Sequence, residues 1–129
     1  MKQIKTFHFL KTYTDLTDIL IDHSLASLGD AFINFAYSLA LSNLKGKPSG
    51  AKVKGSALAE AFRKAELRKY MPSKMTRHTL ADGAEALAVY AWLRHYITLD
   101  EVTAMLGKSE NPVEGLSLLF LTIKERIKF

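Results

Sequence analysis

The chain has 129 residues, of which 48% are hydrophobic and 24% are charged. This length and composition are typical of one folded domain, which we place at residues 1–129, and they exclude an intrinsically disordered chain. The sequence contains no cysteine, which excludes disulfides, thiolate zinc sites and cysteine nucleophiles. The formal net charge is +5, and its distribution along the chain is uneven.

Most of the positive charge lies in residues 45–77, which we call the basic segment. It holds ten Lys and Arg residues against two Glu residues, a net charge of +8, whereas the rest of the chain carries −3. A concentration of this kind is the usual electrostatic footprint of a polyanion partner. A solvated helical face is the commoner origin of a basic stretch, so charge alone does not predict nucleic-acid binding.

Helical signals run through the chain, and no strand-type alternation persists. Ser24 is the predicted N-cap of a long helix, Thr76 or Thr79 opens a second, and Thr98 with Glu101 forms a capping box. Asn111 before Pro112 predicts the start of the last helix. Gly46 to Gly50 is the clearest loop. Helices are predicted over 15–21, 25–44, 54–64, 66–70, 76 or 79 to 96, 98 to 107 and 112–128. The predicted fold class is therefore all-α.

No membrane or export segment is evident. The longest uncharged run, Ala31 to Leu44, is shorter than the roughly 18 residues that a membrane span needs. The stretch from Thr6 to Tyr13 is short and is interrupted by Lys11, unlike an export signal. Together with the lack of cysteine, this predicts a cytoplasmic protein with no membrane partner.

Two acidic positions stand in apolar surroundings. Asp82 and Glu85 are three residues apart, so on a helix both side chains emerge on one face, where an unpaired carboxylate is costly to bury. If Asp30 packs against that face, three carboxylates converge, and such a cluster requires a metal ion. Mg²⁺ prefers oxygen ligands and keeps several waters, which suits hydrolysis of a nucleic-acid backbone. The alternative to a metal site is that Asp82 is an exposed acid near the start of a helix, where the helix dipole favours it, and that Asp30 forms an ion pair with a basic residue elsewhere.

Three motifs in order resemble those of the ribonuclease III catalytic domain over roughly residues 23–96. Leu28-Gly29-Asp30-Ala31 is similar to the family's signature helix, and residues 53–59, Val-Lys-Gly-Ser-Ala-Leu-Ala, are similar to its middle element. Residues 81–87, Ala-Asp-Gly-Ala-Glu-Ala-Leu, with Tyr90 behind them, resemble the later acidic helix. The resemblance implies a ribonuclease III endonuclease-like helical bundle.

By the same resemblance, Asp30, Asp82 and Glu85 are the catalytic residues and the ligands of Mg²⁺ or Mn²⁺. The implied substrate is double-stranded or structured RNA, cleaved to a 5′-phosphate and a 3′-hydroxyl. Lys52 and Lys54 flank the middle motif and Arg77 closely precedes the acidic helix. We therefore expect these three basic side chains to contact phosphates.

The sequence departs from the family at the start of the signature helix. Ala26 stands where the family has a glutamate, and His23 stands at another usually acidic position. Mini-III enzymes also lack that glutamate and a double-stranded-RNA-binding domain, and the chain looks closer to them than to the two-domain enzymes. Loss of a carboxylate predicts weaker metal binding. Ser27 is too small to be the family's dimer plug, so we expect a homodimer with different contacts.

Two other readings stay open at this point. The first is a ribonuclease III-like RNA-binding protein with weak or no catalysis, which the alanine at position 26 motivates. The second is a helical interaction module whose basic segment only confers solubility. The four histidines lack metal-ligand spacing, so we expect surface or capping roles for them. His23, one helical repeat before Asp30, is a candidate for the edge of the site.

Overall fold

The computed structural model describes residues 7–72 and 77–129, and for Arg77 and His78 it describes the backbone alone. Within these residues the protein is helical and has no strand, which confirms the all-α prediction. None of the helices described is long and apolar enough to cross a membrane. The helices are α1 (Leu16–Leu20), α2 (His23–Lys45), α3 (Gly55–Lys64), a 3₁₀ turn (Arg68–Tyr70), α4 (Arg77–Leu93), α5 (Leu99–Leu106) and α6 (Pro112–Arg126).

Helix α4 lies at the centre of the fold. From Leu80 to Leu93 every residue is buried except Asp82 and Trp92, which are partly exposed. A helix that is apolar on all sides needs neighbours on all sides, and α4 packs against α1, α2, α3 and α6. Buried side chains from all the named α-helices join one hydrophobic core around it. An acidic residue on α4 is therefore either at the edge of the core or inside it.

The aromatic side chains near the end of α4 pack against the core. Tyr90 is buried, and its ring meets that of Tyr13 edge-on at 5.2 Å. Trp92 stacks on Phe32 of α2 at 5.0 Å, and Tyr96 is half-buried against the core. These side chains therefore serve packing.

Local capping signals place the last two helices correctly. Thr98 Oγ1 accepts from the Glu101 backbone N–H, and the Glu101 side chain accepts from the Thr98 backbone N–H, which completes the predicted capping box. Asn111 caps α6 through its side chain, and Pro112 occupies the first turn. These helix starts follow from side chains close in sequence, so no tertiary information is needed to find them.

The boundaries of α2 and α4 differ from the prediction. Asp22, not Ser24, is the N-cap of α2, because its carboxylate accepts from the Leu25 N–H at 3.0 Å and also from the Tyr13 hydroxyl. Thr79 lies inside α4, whose described part begins at Arg77, and Thr76 lies outside the described residues. Helix α4 ends at Leu93 rather than near residue 96, because His95 adopts a left-handed conformation with φ 63°.

Candidate active site

Gly29 sets the crossing of α2 and α4. A Cβ atom at this position would overlap the backbone carbonyl of Glu85, so only glycine lets the two helices approach this closely. Asp30 follows Gly29 on α2, and Glu85 is the residue whose backbone Gly29 contacts. The close crossing therefore brings the acid of one helix against the acid of the other.

The three predicted acids line one open cavity of about 350 Å³. Asp30 and Glu85 contact each other through a side-chain hydrogen bond, and Asp82 stands at the same cavity one turn before Glu85 on α4. Asp30 is exposed and Asp82 is partly exposed, whereas Glu85 retains 8% of its accessible surface. The remaining lining residues are His23, Ala26, Ser27, Val53, Gly55, Leu58 and Ala81.

Among the three acids of the cavity, Glu85 is the most buried, and its pKa is raised. Burial, the hydrogen bond with Asp30 and the negative charges of Asp30 and Asp82 raise the pKa of Glu85 to about 8. Among the described residues, no Lys or Arg forms an ion pair with any of these three acids. With a pKa of about 8, the Glu85 carboxyl favours its neutral form near neutral pH.

Asn34 fixes the orientation of Asp30 from the outer side. Its side-chain amide donates to Asp30 Oδ1 at 2.9 Å, one turn earlier on α2. Its carbonyl oxygen accepts from the backbone N–H of Val53 at 2.8 Å. The sequence gives no local signal that Asn34 belongs to the site, because its contact with Val53 joins positions 19 residues apart.

His23 lies at the edge of the cavity. Its Nδ1 is 3.7 Å from Asp82 Oδ2, and the imidazole is 79% exposed. His23 is exposed, as expected for a surface role, and it lines the cavity, as its place one helical repeat before Asp30 suggests; the contact with Asp82 was not predicted. One sequence signal pointed to a role at the site: His23 occupies a position that is usually acidic in the family it resembles.

The residues present partly fit a divalent metal. Carboxylate oxygens are the ligands that Mg²⁺ and Mn²⁺ prefer, and burial together with the charges of Asp30 and Asp82 raises the pKa of Glu85. Within residues 7–72 and 77–129, however, no group of three acidic or imidazole side chains is already arranged to hold a metal. Ala26 lines the cavity and offers no oxygen. A metal held here needs further ligands from water or substrate.

Two of the three predicted RNA-binding residues lie next to the cavity. Lys52 and Lys54 are exposed, and Val53 between them lines the cavity with Asp30. The backbone of Arg77 begins α4, five residues before Asp82, but its side chain lies outside the described part of the chain. The structure therefore places basic side chains beside the acidic cavity, and the role of Arg77 stays a prediction.

Taken together, these elements define an all-helical protein whose two central helices cross at an acidic cavity flanked by lysines. The chain belongs to the ribonuclease III family, since the family model described as Ribonuclease III matches residues 23–124. The match begins at His23, at the start of α2, and runs through most of α6, so it includes every helix that lines the cavity. No curated protein matches the chain significantly. Family membership indicates an RNA-cleaving endoribonuclease.

Proposed function

We propose that this protein is a metal-dependent endoribonuclease that hydrolyses phosphodiester bonds of double-stranded or structured RNA. The observation that carries the proposal is the meeting of Asp30, Asp82 and Glu85 at one cavity, where two helices distant in sequence cross. Family membership supplies the reaction class, and the cavity supplies three acids that meet at one place.

Mg²⁺ or Mn²⁺ is the proposed cofactor, held by Asp30, Glu85 and Asp82. A bound divalent ion lowers the pKa of a water and stabilises the charge that develops on a phosphoryl group. Glu85 must lose its proton to become a ligand, and Asn34 keeps the carboxylate of Asp30 oriented toward Glu85. His23 contacts Asp82 at the edge of the cavity.

The proposed substrate contact uses the lysines beside the cavity. Double-stranded RNA is recognised mainly by shape, through its phosphates and 2′-hydroxyls, so exposed Lys52 and Lys54 suffice as phosphate contacts without a base-reading element. Arg77 is the third proposed contact. The basic segment as a whole attracts the polyanion, because its net charge of +8 stands against −3 elsewhere.

A cleavage assay tests the proposal. A short RNA duplex is incubated with the protein in Mg²⁺, in Mn²⁺ and in EDTA, together with the variants Asp82→Asn and Glu85→Gln. We expect cleavage in either metal, none in EDTA, and a loss of at least about a hundredfold in both variants. Glu114→Gln, an exposed acid on α6, is the matched control and retains full activity. Cleavage that survives EDTA and Asp82→Asn contradicts the metal mechanism.

One observation favours a second candidate, a ribonuclease III-like RNA-binding protein with weak or no catalysis. Ala26 is 4% exposed and lines the cavity without supplying a ligand. Under this alternative the duplex binds in a salt-dependent manner but remains intact at millimolar Mn²⁺. The variant Ala26→Glu then separates two cases. If the site lacks only a metal ligand, cleavage appears in the variant. If the fold is retained for RNA binding alone, the variant still does not cleave.

We also propose that the protein is a homodimer. Phe7, Phe9, Leu28 and Phe35 are exposed and form what we call the apolar patch: the Phe7 and Phe9 rings are 5.8 Å apart, and Phe9 and Leu28 line a common cavity of about 220 Å³. Leu28 and Phe35 are two turns apart on α2. A two-fold interface places the same surface on both copies, so an apolar patch on one copy meets the same apolar patch on the other. A second copy of this chain is therefore the proposed occupant.

A further inference from the structure

Three polar residues of α2 lie one turn apart and form hydrogen bonds with residues 49–53, the segment that follows the loop after α2. We call Asn34, Ser38 and Ser42 the polar ladder. Asn34 Oδ1 accepts from the Val53 N–H at 2.8 Å. Ser38 Oγ accepts from the Ala51 N–H at 2.9 Å and donates to the Ala51 carbonyl at 3.1 Å. Ser42 Oγ accepts from the Ser49 N–H at 2.9 Å.

The spacing of these contacts has a geometric cause. Four residues of an α-helix rise about 6 Å, and two residues of extended chain span about 6.7 Å, so helix positions four apart match chain positions two apart. The bonded residues are therefore alternate ones, 53, 51 and 49, which run antiparallel to α2. Their alternation is visible in exposure, because Ser49, Ala51 and Val53 are half-buried, whereas residues 50, 52 and 54 are exposed.

The alternation determines where the lysines go. Since Ala51 and Val53 face α2, Lys52 between them faces solvent, and Lys54 follows on the same outer side at the N-cap of α3. The segment ends at the cavity, because Val53 is one of its lining residues. The ladder thus holds a short basic strip in one register against the helix that carries Asp30.

Asn34 belongs to both the ladder and the acidic site. Its amide nitrogen donates to Asp30 and its oxygen accepts from Val53, so one side chain joins the carboxylate to the basic strip. A shift of the segment by one residue would break the contact with Asn34 and would turn Lys52 toward the helix. The position of the lysines and the orientation of Asp30 are therefore linked through a single amide.

We propose that the polar ladder positions Lys52 and Lys54 to bind RNA phosphates at a fixed distance from Asp30, and that Asn34 is the positioning residue that links RNA binding to the acidic site. This inference rests on the proposed function, because it assigns the lysines to RNA. In this role the serines touch neither RNA nor metal. They act by fixing the backbone between residues 49 and 53.

The test measures the order of the backbone at residues 49–53 separately from RNA binding. Amide hydrogen exchange of residues 49, 51 and 53 is measured in Ser38→Ala, Ser42→Ala and Asn34→Ala, alongside RNA affinity, KM and kcat. We expect faster exchange at the amide that each variant frees, and RNA binding weaker by about fivefold for each serine variant, the order expected for one net hydrogen bond. The serine variants raise KM more than they change kcat, whereas Asn34→Ala raises KM and also lowers kcat, because Asp30 loses its contact.

Three controls sharpen the result. Ser117→Ala removes a helical hydroxyl that bonds only within α6, to Val113 O at 2.7 Å, and leaves RNA affinity unchanged. Lys52→Ala with Lys54→Ala weakens RNA binding but leaves exchange at residues 49–53 as in the unaltered protein. Ser38→Thr keeps the hydroxyl and restores both exchange and affinity. If Ser38→Ala fails to fold, Ser42→Ala with the exchange of Ser49 carries the same test.

Each outcome bears on one proposal. Unchanged exchange at residues 49–53 in both serine variants overturns the ladder. Faster exchange with unchanged RNA affinity, in a protein whose lysine variants do weaken binding, overturns its positioning role. If the unaltered protein binds no RNA, the proposed function fails, and the exchange data still decide whether the ladder fixes the backbone.

Discussion

At the scale of single residues, Glu85 governs the state of the site. Its carboxyl lies among alanine and leucine side chains of α4, and it shares the cavity with two other acids. A buried carboxyl in such surroundings favours its neutral form. Glu85 therefore favours its protonated form, and under the proposed function a divalent cation competes with that proton.

This has a measurable effect on stability in EDTA. The pKa of Glu85 is about 8 in the folded protein and near its ordinary value of 4.5 in the unfolded chain, so the folded state binds more protons between these values. The free energy of unfolding therefore falls as the pH rises from about 4.5 to about 8, by at most about 1.4 kcal/mol per pH unit from this group. Urea denaturation at a series of pH values measures the slope.

The control uses the same measurement on two variants. Glu85→Gln has no titrating group at this position, so the contribution of residue 85 to the slope of unfolding free energy against pH disappears. Glu114→Gln, on the surface of α6, leaves that slope in place. An identical pH dependence in the unaltered protein and in Glu85→Gln contradicts the assignment of a raised pKa to this carboxyl.

At the scale of elements, the crossing of α2 and α4 depends on one glycine. The atom that a Cβ at Gly29 would meet is a backbone carbonyl oxygen, which cannot rotate away as a side chain does. The helices must separate to admit a methyl group, and the separation disturbs the core on both sides. Because Asp30 and Glu85 flank the crossing, stability and site geometry share this contact.

Gly29→Ala is expected to destabilise the protein by about 2 kcal/mol, because overpacking against a backbone carbonyl lies at the upper end of its usual cost. Overpacking costs of roughly 1–3 kcal/mol outweigh the gain of about 1 kcal/mol that alanine normally gives inside a helix. Thermal and urea denaturation measure the loss. Gly55→Ala is the matched control, because its nearest contact would be the Ala81 Cβ at 3.9 Å, and it should leave stability within about 1 kcal/mol. Equal stability of both variants contradicts the tight crossing.

At the scale of the whole molecule, three surfaces have different chemical characters. The acidic cavity lies between α2 and α4, the basic strip borders it, and the apolar patch occupies another part of α2 with the segment before α1. Helix α2 contributes to all three, so its position fixes their relative arrangement. In a two-fold dimer built on the apolar patch, each copy keeps its own acidic cavity, because no residue of the patch lines that cavity.

The dimer is tested by sedimentation velocity over a concentration series. Leu28→Asp places a charge in the apolar patch and is expected to shift the protein to monomer. Leu121→Asp is the matched control, because Leu121 on α6 is 39% exposed against 40% for Leu28 but lies outside the patch, and it should leave the dimer intact. A monomeric unaltered protein, or a dimer that Leu28→Asp does not weaken, contradicts the proposed interface.

Much of the fold was predictable because its signals are local. The capping box at Thr98 and the Asn111-Pro112 start act within four residues, and the apolar run in α4 indicates a buried helix at any position in the fold. The family resemblance likewise depends on short motifs. The N-cap of α2 was predicted wrongly, because Asp22 and Ser24 are both good capping residues and the Tyr13 hydroxyl, nine residues away, stabilises the first.

The sequence alone determined that the protein is helical, that Asp82 and Glu85 share a face, and that positive charge gathers in one segment. Only the tertiary structure decided that Asp30 meets Glu85, that His23 reaches Asp82, and that Asn34 joins Asp30 to Val53. Helical periodicity acts over one turn and is readable in the residues themselves. Contacts between distant segments depend on how closely two helices cross, and here a missing Cβ at Gly29 sets that distance.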